Sequence, residues 1–377
     1  MTKNIFFIYI VFSMVISLIA VETQLIHIPF DYEQEFDTSE LLSYQLYLWW
    51  ACLCFYFGNR ITKIKKKPIN VELITAKVNT GLGSKYIIFM QLLIVFYFLS
   101  KVDSAFELSS EFTYITNYRP FGDKFSVILL LIQGVLPVLA IKNKATRIFT
   151  ILISVLLSLV FAWIDASRAS ILPLSGMLLS SLTKKNMFLF IPVLLLMILN
   201  FVTAMAARSV YDRLHFSSIL DVFQILSENF TDLLISLISY FTAFSITQFA
   251  YVTREYSGVF TSFDLFYSVI PIPSFMWPSR PDMMLWRVDR FRPMGAVSEL
   301  LRVSFFFFSL FFVFYGYLSK KLDNISNINL KILSACIFAL TCVSIFQYNL
   351  RSVQWFLYFM FIITIFDNVL YRVNKIS

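Results

Sequence analysis

The sequence predicts an all-α membrane protein, a polytopic transmembrane bundle of about ten spans with one large helical loop on its outer side. Hydrophobic residues make up 58% of the chain and charged residues only 14%, whereas soluble domains carry about 25% charged residues. The mean hydropathy is +0.74, and long apolar segments recur along the chain. Membrane burial therefore sets the architecture, and domain counts based on the length of soluble proteins do not apply.

Ten apolar segments are long enough to cross a bilayer if tilt and snorkelling are allowed. They cover residues 5–21, 41–58, 86–101, 125–141, 148–164, 168–182, 187–207, 303–319, 330–346 and 354–371. The least apolar of these segments, 168–182, contains Pro173 and four serines, and we expect it to lie inside the bundle. The first could be a signal peptide, but "SLIAVETQ" is a poor cleavage site, so we interpret it as a retained span.

The charge distribution orients these spans. With the N-terminus inside, the inner segments contain 18 of the 31 cations and three of the 23 acids. This excess follows the positive-inside rule and predicts that both termini are cytoplasmic. Residues 1–207 would then hold spans one to seven, 208–302 the outer loop, and 303–377 the last three spans. The net charge of +8 reflects topology, so it does not indicate nucleic acid.

The outer loop contains a second apolar stretch at 231–252, "TDLLISLISYFTAFSITQFAYV". A single crossing there would invert every later segment and move Lys320 and Lys321 outside. We therefore predict a re-entrant or interfacial helix near 231–252, with a hairpin that crosses twice as the alternative.

The sequence contains no recognisable motif for binding a metal or a nucleotide. The four cysteines all lie in predicted spans, where apolar packing explains them. The two histidines, His27 and His215, are far apart in sequence, and there is no P-loop or dinucleotide glycine fingerprint. We therefore predict no cofactor and no metal site.

The cations are sorted by type. Eleven of the 14 arginines lie outside, but only two of the 17 lysines do, and the positive-inside rule does not distinguish the two residues. Four arginines, five prolines and two tryptophans occur within 271–295. Because guanidinium grips carboxylate or phosphate oxygens in a bidentate way, this segment predicts an anion-binding outer surface. The alternative for each arginine is structural pairing with a nearby acid.

Two further polar sites interrupt the spans. "WIDASRAS" (163–170) brings Asp165 and Arg168 to the outer membrane boundary, where an ionisable residue is a functional candidate. "AARSVYDRLHF" (206–216) carries Arg208 and His215, which would share one face of a continuing helix.

The order of these motifs resembles one family. A short D-x-S-R turn (165–168) is followed by a large outer loop that ends in "IPIPSFMWPSRP" and then G-x-x-x-E, from Gly295 to Glu299, just before the next span. This order resembles the O-antigen polymerase (Wzy-type) family of oligosaccharide repeat-unit polymerases. The chain departs from the expected pattern at Ala169 and Ser170, where we would look for a glycine.

The resemblance implies a multi-pass glycosyltransferase of the bacterial inner membrane that acts at the periplasmic face. Its substrates would be undecaprenyl-pyrophosphate-linked oligosaccharides, and its product would be O-antigen, capsule or exopolysaccharide. It also implies contact with membrane lipids and with a protein that regulates chain length.

This chemistry assigns roles to the candidate residues. A departing pyrophosphate needs preplaced cations, for which we nominate Arg168, Arg208, Arg280 and Arg292. The attacking sugar hydroxyl needs a base, for which the candidates are Glu299 first, then Asp165 and His215. Trp277 and Trp286 could stack on sugars, or could be interfacial anchors. The alternative for Glu299 is a salt bridge to Arg302.

Three other functions compete with the polymerase. An O-antigen ligase has the same general plan and chemistry. A lipid-linked oligosaccharide flippase would need ionisable or broken-helix sites near the bilayer midplane, whereas the charges here concentrate at the outer boundary. An acyltransferase would need a histidine-centred site and access to a cytoplasmic donor.

Overall fold

The structure is a computed structural model that describes most of the chain. The described residues are 2–28, 31–61, 81–101, 124–139, 144–164, 168–181, 190–207, 216–255, 261–270, 294–326 and 328–376. Within these ranges the secondary structure is helical, with no β-strand. The α-helices are α1 (Thr2–Thr23), α2 (Thr38–Ile61), α3 (Gly81–Ser100), α4 (Lys124–Leu139), α5 (Lys144–Ile164), α6 (Leu172–Ser181), α7 (Phe190–Ala207), α8 (Phe216–Phe241), α9 (Ala243–Glu255), α10 (Ser262–Val269), α11 (Ala296–Val303), α12 (Phe305–Asp323), α13 (Ile328–Gln347) and α14 (Leu350–Ile376).

The all-α prediction is confirmed, because the described residues of the ten apolar segments lie almost entirely in helices. By length and composition, four helices can cross a membrane, namely α1, α5, α7 and α12. The pair α8 and α9 passes the same test together and is bent by 48°, which gives a fifth candidate span. The described residues therefore form a helical membrane protein with four or five candidate spans, and the count of ten crossings stays a prediction.

The helices pack into two compact units. Unit 1 combines Met1–Val71 with Ile235–Ser377, and unit 2 is Glu72–Leu234. These boundaries differ from the predicted division at residues 207 and 302. The predicted division assigns segments to one side of a membrane or the other, whereas the two units are defined by which helices pack together. The predicted division therefore stays a prediction.

Unit 1 has an aromatic core between α1, α2, α12 and α13. Phe6 stacks on Phe55 with ring centroids 4.0 Å apart, and Tyr315 stacks on Phe338 at 4.7 Å. All four side chains are fully buried. Stacked rings supply dispersion contacts between helices whose apolar surroundings would offer no hydrophobic driving force for association.

Two glycines bring the backbones of α2 and α12 into direct contact. A Cβ atom on Gly58 would lie 1.9 Å from the carbonyl oxygen of Val313, and one on Gly316 would lie 2.0 Å from that of Phe55. No real side chain tolerates such distances, so only glycine fits at either position. The Asn59 amide beside this crossing donates to the Gly316 carbonyl over 3.4 Å. Small residues at helix crossings are the usual means of close packing in membranes.

Unit 2 is built around α3 to α7. Phe98 of α3 meets Phe161 of α5 edge to face at 4.9 Å. A 3-10 turn, Arg168–Ile171, precedes α6. Its Ser170 carbonyl accepts hydrogen bonds from the Asn200 amide at 3.1 Å and from the Ser158 hydroxyl. These buried polar contacts fix the backbone of the turn that begins at Arg168.

The predicted re-entrant helix near 231–252 covers the end of α8 and most of α9. Every residue of α9 from Ala243 to Ala250 is buried, so this helix packs inside unit 1. At the bend, the Tyr240 carbonyl accepts a 2.6 Å hydrogen bond from the Gln347 amide. A bent helix frees backbone carbonyls, and a buried side chain that satisfies one of them stabilises the break.

The glycine crossing leads to a stability prediction. We expect Gly316→Ala to lower the free energy of unfolding by about 1–3 kcal/mol, because the added methyl group overlaps the Phe55 carbonyl. In an unobstructed helix the same change would stabilise by roughly 1 kcal/mol. Thermal unfolding of the purified protein in detergent measures the effect. Leu310→Ala, on the exposed side of α12, is the control, and a Gly316→Ala variant as stable as the wild type would contradict the interpretation.

Candidate active site

The helix that carries Glu299 is docked onto the turn between α13 and α14. A Cβ atom on Gly295, which precedes α11, would lie 2.1 Å from the carbonyl oxygen of Phe346. The next residue, Ala296, donates its N–H to the Tyr348 carbonyl at 2.7 Å. The glycine of the G-x-x-x-E motif is thus needed for close approach, since its φ of −76° is open to any residue.

The glutamate of the motif completes this docking. The Glu299 side chain is only 3% exposed. One carboxylate oxygen accepts a hydrogen bond from the Leu350 N–H, and the other accepts one from the Ser268 hydroxyl at 3.4 Å. Leu350 begins α14, and the first N–H groups of a helix have no partner inside the helix. A carboxyl group satisfies this donor and lies at the favourable end of the helix dipole.

Burial changes the acidity of this group. Desolvation raises the pKa of the Glu299 carboxyl from its ordinary value of 4.5 to about 8, against the opposing effect of the hydrogen bonds from Leu350 and Ser268. The negative charge of Asp264, which caps α10 through Thr261, adds to the rise. Glu299 lies outside the candidate spans. A carboxyl with a pKa near 8 can release or accept a proton close to neutral pH.

Two arginines lie on the same elements. The Arg351 guanidinium stacks over the Tyr267 ring at 4.0 Å and donates to the Tyr267 carbonyl. Arg302 donates to the carbonyls of Val252 and Thr253, both at 2.8 Å. A salt bridge between Glu299 and Arg302 was the structural alternative. Among the described residues, however, Glu299 is bound by Leu350 and Ser268.

Both ends of the arginine-rich segment are fixed at this cluster. The described chain stops at Ile270, just after α10, and resumes at Met294, just before α11. The Tyr358 hydroxyl donates to the Val269 carbonyl at the first end, and Ser268 contacts Glu299 across the two ends. The described residues on either side of 271–293 therefore lie on the elements that hold the buried glutamate. We define the candidate active site as Glu299, Ser268, Asp264 and Arg351.

Of the nominated site residues, the structure describes Glu299 and Arg168. It shows the contacts of the Glu299 side chain with Leu350 and Ser268. For Arg168 it describes the backbone, at the start of the 3-10 turn in unit 2. The other nominated residues lie outside the described ranges: Asp165, Arg208, His215, Trp277, Arg280, Trp286 and Arg292. Their roles stay predictions.

Sequence reasoning did not single out Arg351 or Ser268. Arg351 had a signal, because "QYNLRS" (347–352) is a polar break between two apolar segments, much like "WIDASRAS". Ser268 had none, since one serine in a short amphipathic helix is ordinary. Its proximity to Glu299, 31 residues away, arises only from folding.

Comparisons with known proteins give no assignment. No family model, no curated protein and no solved structure matches the chain.

The raised pKa of Glu299 leads to a prediction about stability and pH. The folded state holds this proton up to about pH 8, whereas the unfolded chain releases it near pH 4.5. Its contribution to stability is therefore full below about pH 4.5, declines as the pH rises, and is lost above about pH 8. We expect the thermal midpoint of Glu299→Gln to depend less on pH than that of the wild type across this window.

The measurement is thermal unfolding in detergent between pH 5 and pH 9. The glutamine keeps a carbonyl oxygen for the Leu350 N–H, so the docking contact is retained. Glu228→Gln, an exposed glutamate on α8, is the matched control and should follow the wild type. Identical pH profiles for wild type and Glu299→Gln would show that Glu299 titrates normally.

Proposed function

We propose that this chain is a membrane glycosyltransferase that polymerises undecaprenyl-pyrophosphate-linked oligosaccharide repeat units at the outer face of a bacterial inner membrane. In this proposal it crosses the membrane about ten times, with both termini in the cytoplasm. Three points support it: the sorting of arginines to the segments predicted to lie outside, the resemblance of the motif order to Wzy-type polymerases, and the apolar helices long enough to cross a membrane.

One observation carries the proposal. The buried carboxyl of Glu299, with a pKa near 8, contacts Ser268, and these two residues lie close in sequence to Ile270 and Met294, which flank the arginine-rich segment. Glycosyl transfer from a pyrophosphate needs a proton acceptor for the attacking hydroxyl and cations for the leaving group. In this proposal Glu299 is the proton acceptor, and Arg280 and Arg292, which belong to the arginine-rich segment of the sequence, supply the cations.

The reaction can be written with these groups. An acceptor sugar hydroxyl attacks the anomeric carbon of the donor glycan. The bond from that carbon to the pyrophosphate oxygen breaks, and the hydroxyl proton passes to the Glu299 carboxylate. Undecaprenyl pyrophosphate departs with the electron pair of the broken bond, and its charge is neutralised by arginines. The acceptor hydroxyl takes over from Ser268 as the donor to Glu299, since the existing contact is long at 3.4 Å.

The arginines have distinct parts in this proposal. Arg168, Arg208, Arg280 and Arg292 grip the pyrophosphates of donor and acceptor through bidentate hydrogen bonds. Asp165 and His215 remain alternative bases, and Trp277 and Trp286 are the proposed sugar-stacking residues. Each of these assignments rests on the sequence, because the side chains lie outside the described part of the structure.

The first test is elongation of a synthetic undecaprenyl-pyrophosphate repeat unit by the purified protein, in detergent and without nucleotide or metal. We expect a ladder of longer lipid-linked products. The rate should rise with pH as Glu299 loses its proton, with a midpoint near pH 8. Glu299→Gln should lose the activity and keep its fold, and Glu228→Gln should retain both. No elongation by a folded wild-type protein given the correct repeat unit would favour the ligase or flippase.

A second test replaces the guanidinium group of each nominated arginine with the ammonium group of lysine. We expect Arg→Lys at Arg168, Arg208, Arg280 and Arg292 to remove most of the elongation activity, because an ammonium keeps the charge but loses the planar fork. Arg60→Lys, an arginine predicted to lie inside, is the matched control and should be fully active. Full activity in all four outer variants would overturn the proposed grip on pyrophosphate.

A further inference from the structure

A second polar cluster lies in the loop between α1 and α2, which contributes no residue to the candidate active site. The Nδ1 atom of His27 is 2.9 Å from Oε1 of Glu33 and 3.7 Å from Oδ1 of Asp31. The three potential ligand atoms all lie within 4.8 Å of one another. We propose that His27, Asp31 and Glu33 form a binding site for a divalent transition-metal cation, with Zn²⁺ as the best fit.

The charge balance of the loop points to a cation. No lysine or arginine occurs between Lys3 and Arg60, whereas six acids occur in 22–40. Arg254 contacts two of them, Glu35 and Glu40. The structure records no lysine or arginine contact to Asp31 or Glu33 among the described residues. Glu33 is only 4% exposed and contacts the His27 imidazole and the Ile28 N–H. A buried carboxylate needs a compensating charge, which a cation bound together with His27 would supply.

The donor types select the class of metal. One imidazole nitrogen with two carboxylate oxygens suits Zn²⁺ or Mn²⁺, whereas Mg²⁺ and Ca²⁺ prefer oxygen ligands throughout. Ligand atoms that share a Zn²⁺ ion at about 2.0–2.2 Å lie roughly 3–3.5 Å apart. The ligand atoms, which lie up to 4.8 Å apart, must therefore approach one another by roughly 1–2 Å. A water molecule would complete four-coordination.

The loop is arranged to allow this contraction. The Glu33 carboxylate is held in place because its second oxygen accepts the Ile28 N–H at 2.9 Å. The side chains of His27 and Asp31 are each 67% exposed, so they can rotate toward it. Glu33 is thus the fixed ligand, and the two exposed side chains close on the ion.

The cluster is connected to the bend between α8 and α9. The His27 carbonyl accepts a 2.9 Å hydrogen bond from the Ser239 hydroxyl of α8. Tyr32, which is fully buried, stacks on Tyr251 of α9 at 4.9 Å. A cation that joins His27, Asp31 and Glu33 would therefore fix the loop against the bend and stabilise unit 1. This role is structural and does not depend on the proposed transferase activity.

The test is a titration of the full-length protein in detergent with Zn²⁺, after removal of any affinity tag, by calorimetry. We expect one saturable site and a rise in the thermal midpoint on addition of Zn²⁺. Asp31→Asn and His27→Gln should each weaken the binding at least tenfold. Asp37→Asn, an exposed acid in the same loop, is the matched control and should bind as the wild type does.

Two results would overturn the site. One is the lack of saturable binding of either Zn²⁺ or Mn²⁺ to the folded wild type. The other is equal Zn²⁺ affinity in wild type and Asp31→Asn, which would assign the binding to other residues. Because Asp31 is exposed, the metal-free Asp31→Asn protein should keep the wild-type thermal midpoint, so a folding defect can be recognised. Co²⁺ gives an independent readout, since its visible absorption reports a bound nitrogen–oxygen ligand set.

Discussion

The packing of unit 1 depends on the contact between the backbones of α2 and α12 at Gly58 and Gly316. At this crossing a single methyl group would overlap a carbonyl oxygen on the facing helix. The close approach brings the rings of Phe55 and Tyr315 together in the aromatic core. In apolar surroundings such contacts replace the hydrophobic effect as the source of helix association. Any residue larger than glycine at either position would push α2 and α12 apart.

Polar side chains then join the ends of helices that glycine and aromatic packing bring near one another. Glu299 satisfies the first N–H of α14, and Gln347 satisfies a carbonyl freed at the bend of α8. Each contact offsets the cost of leaving a buried backbone group without a partner. For Glu299 the same burial raises the carboxyl pKa. The carboxyl that docks one helix on another thereby holds its proton up to about pH 8.

Sequence patterns predicted the helical class and the ten apolar helical segments, because hydropathy over a span is a local property of the chain. The G-x-x-x-E motif predicted Glu299 as a site residue, although its reason differed. From the sequence, the motif indicates a catalytic base. In the structure, the glycine allows close approach to the Phe346 carbonyl, and the glutamate accepts a hydrogen bond from the Leu350 N–H. Ser268 could not be ranked from sequence, because an isolated polar residue carries no periodic signal, whereas Arg351 had a signal in the polar break "QYNLRS".

The sequence by itself determined that this is a helical membrane protein, since hydropathy over a span follows from residue type along the chain. The tertiary structure alone decided which residues meet. It brought α1 and α2 into one unit with the C-terminal helices, fixed the ends of the arginine-rich segment beside Glu299, and grouped His27 with two carboxylates. These contacts join residues that are far apart in sequence. They depend on how the surfaces of the helices fit together, which no local sequence pattern encodes.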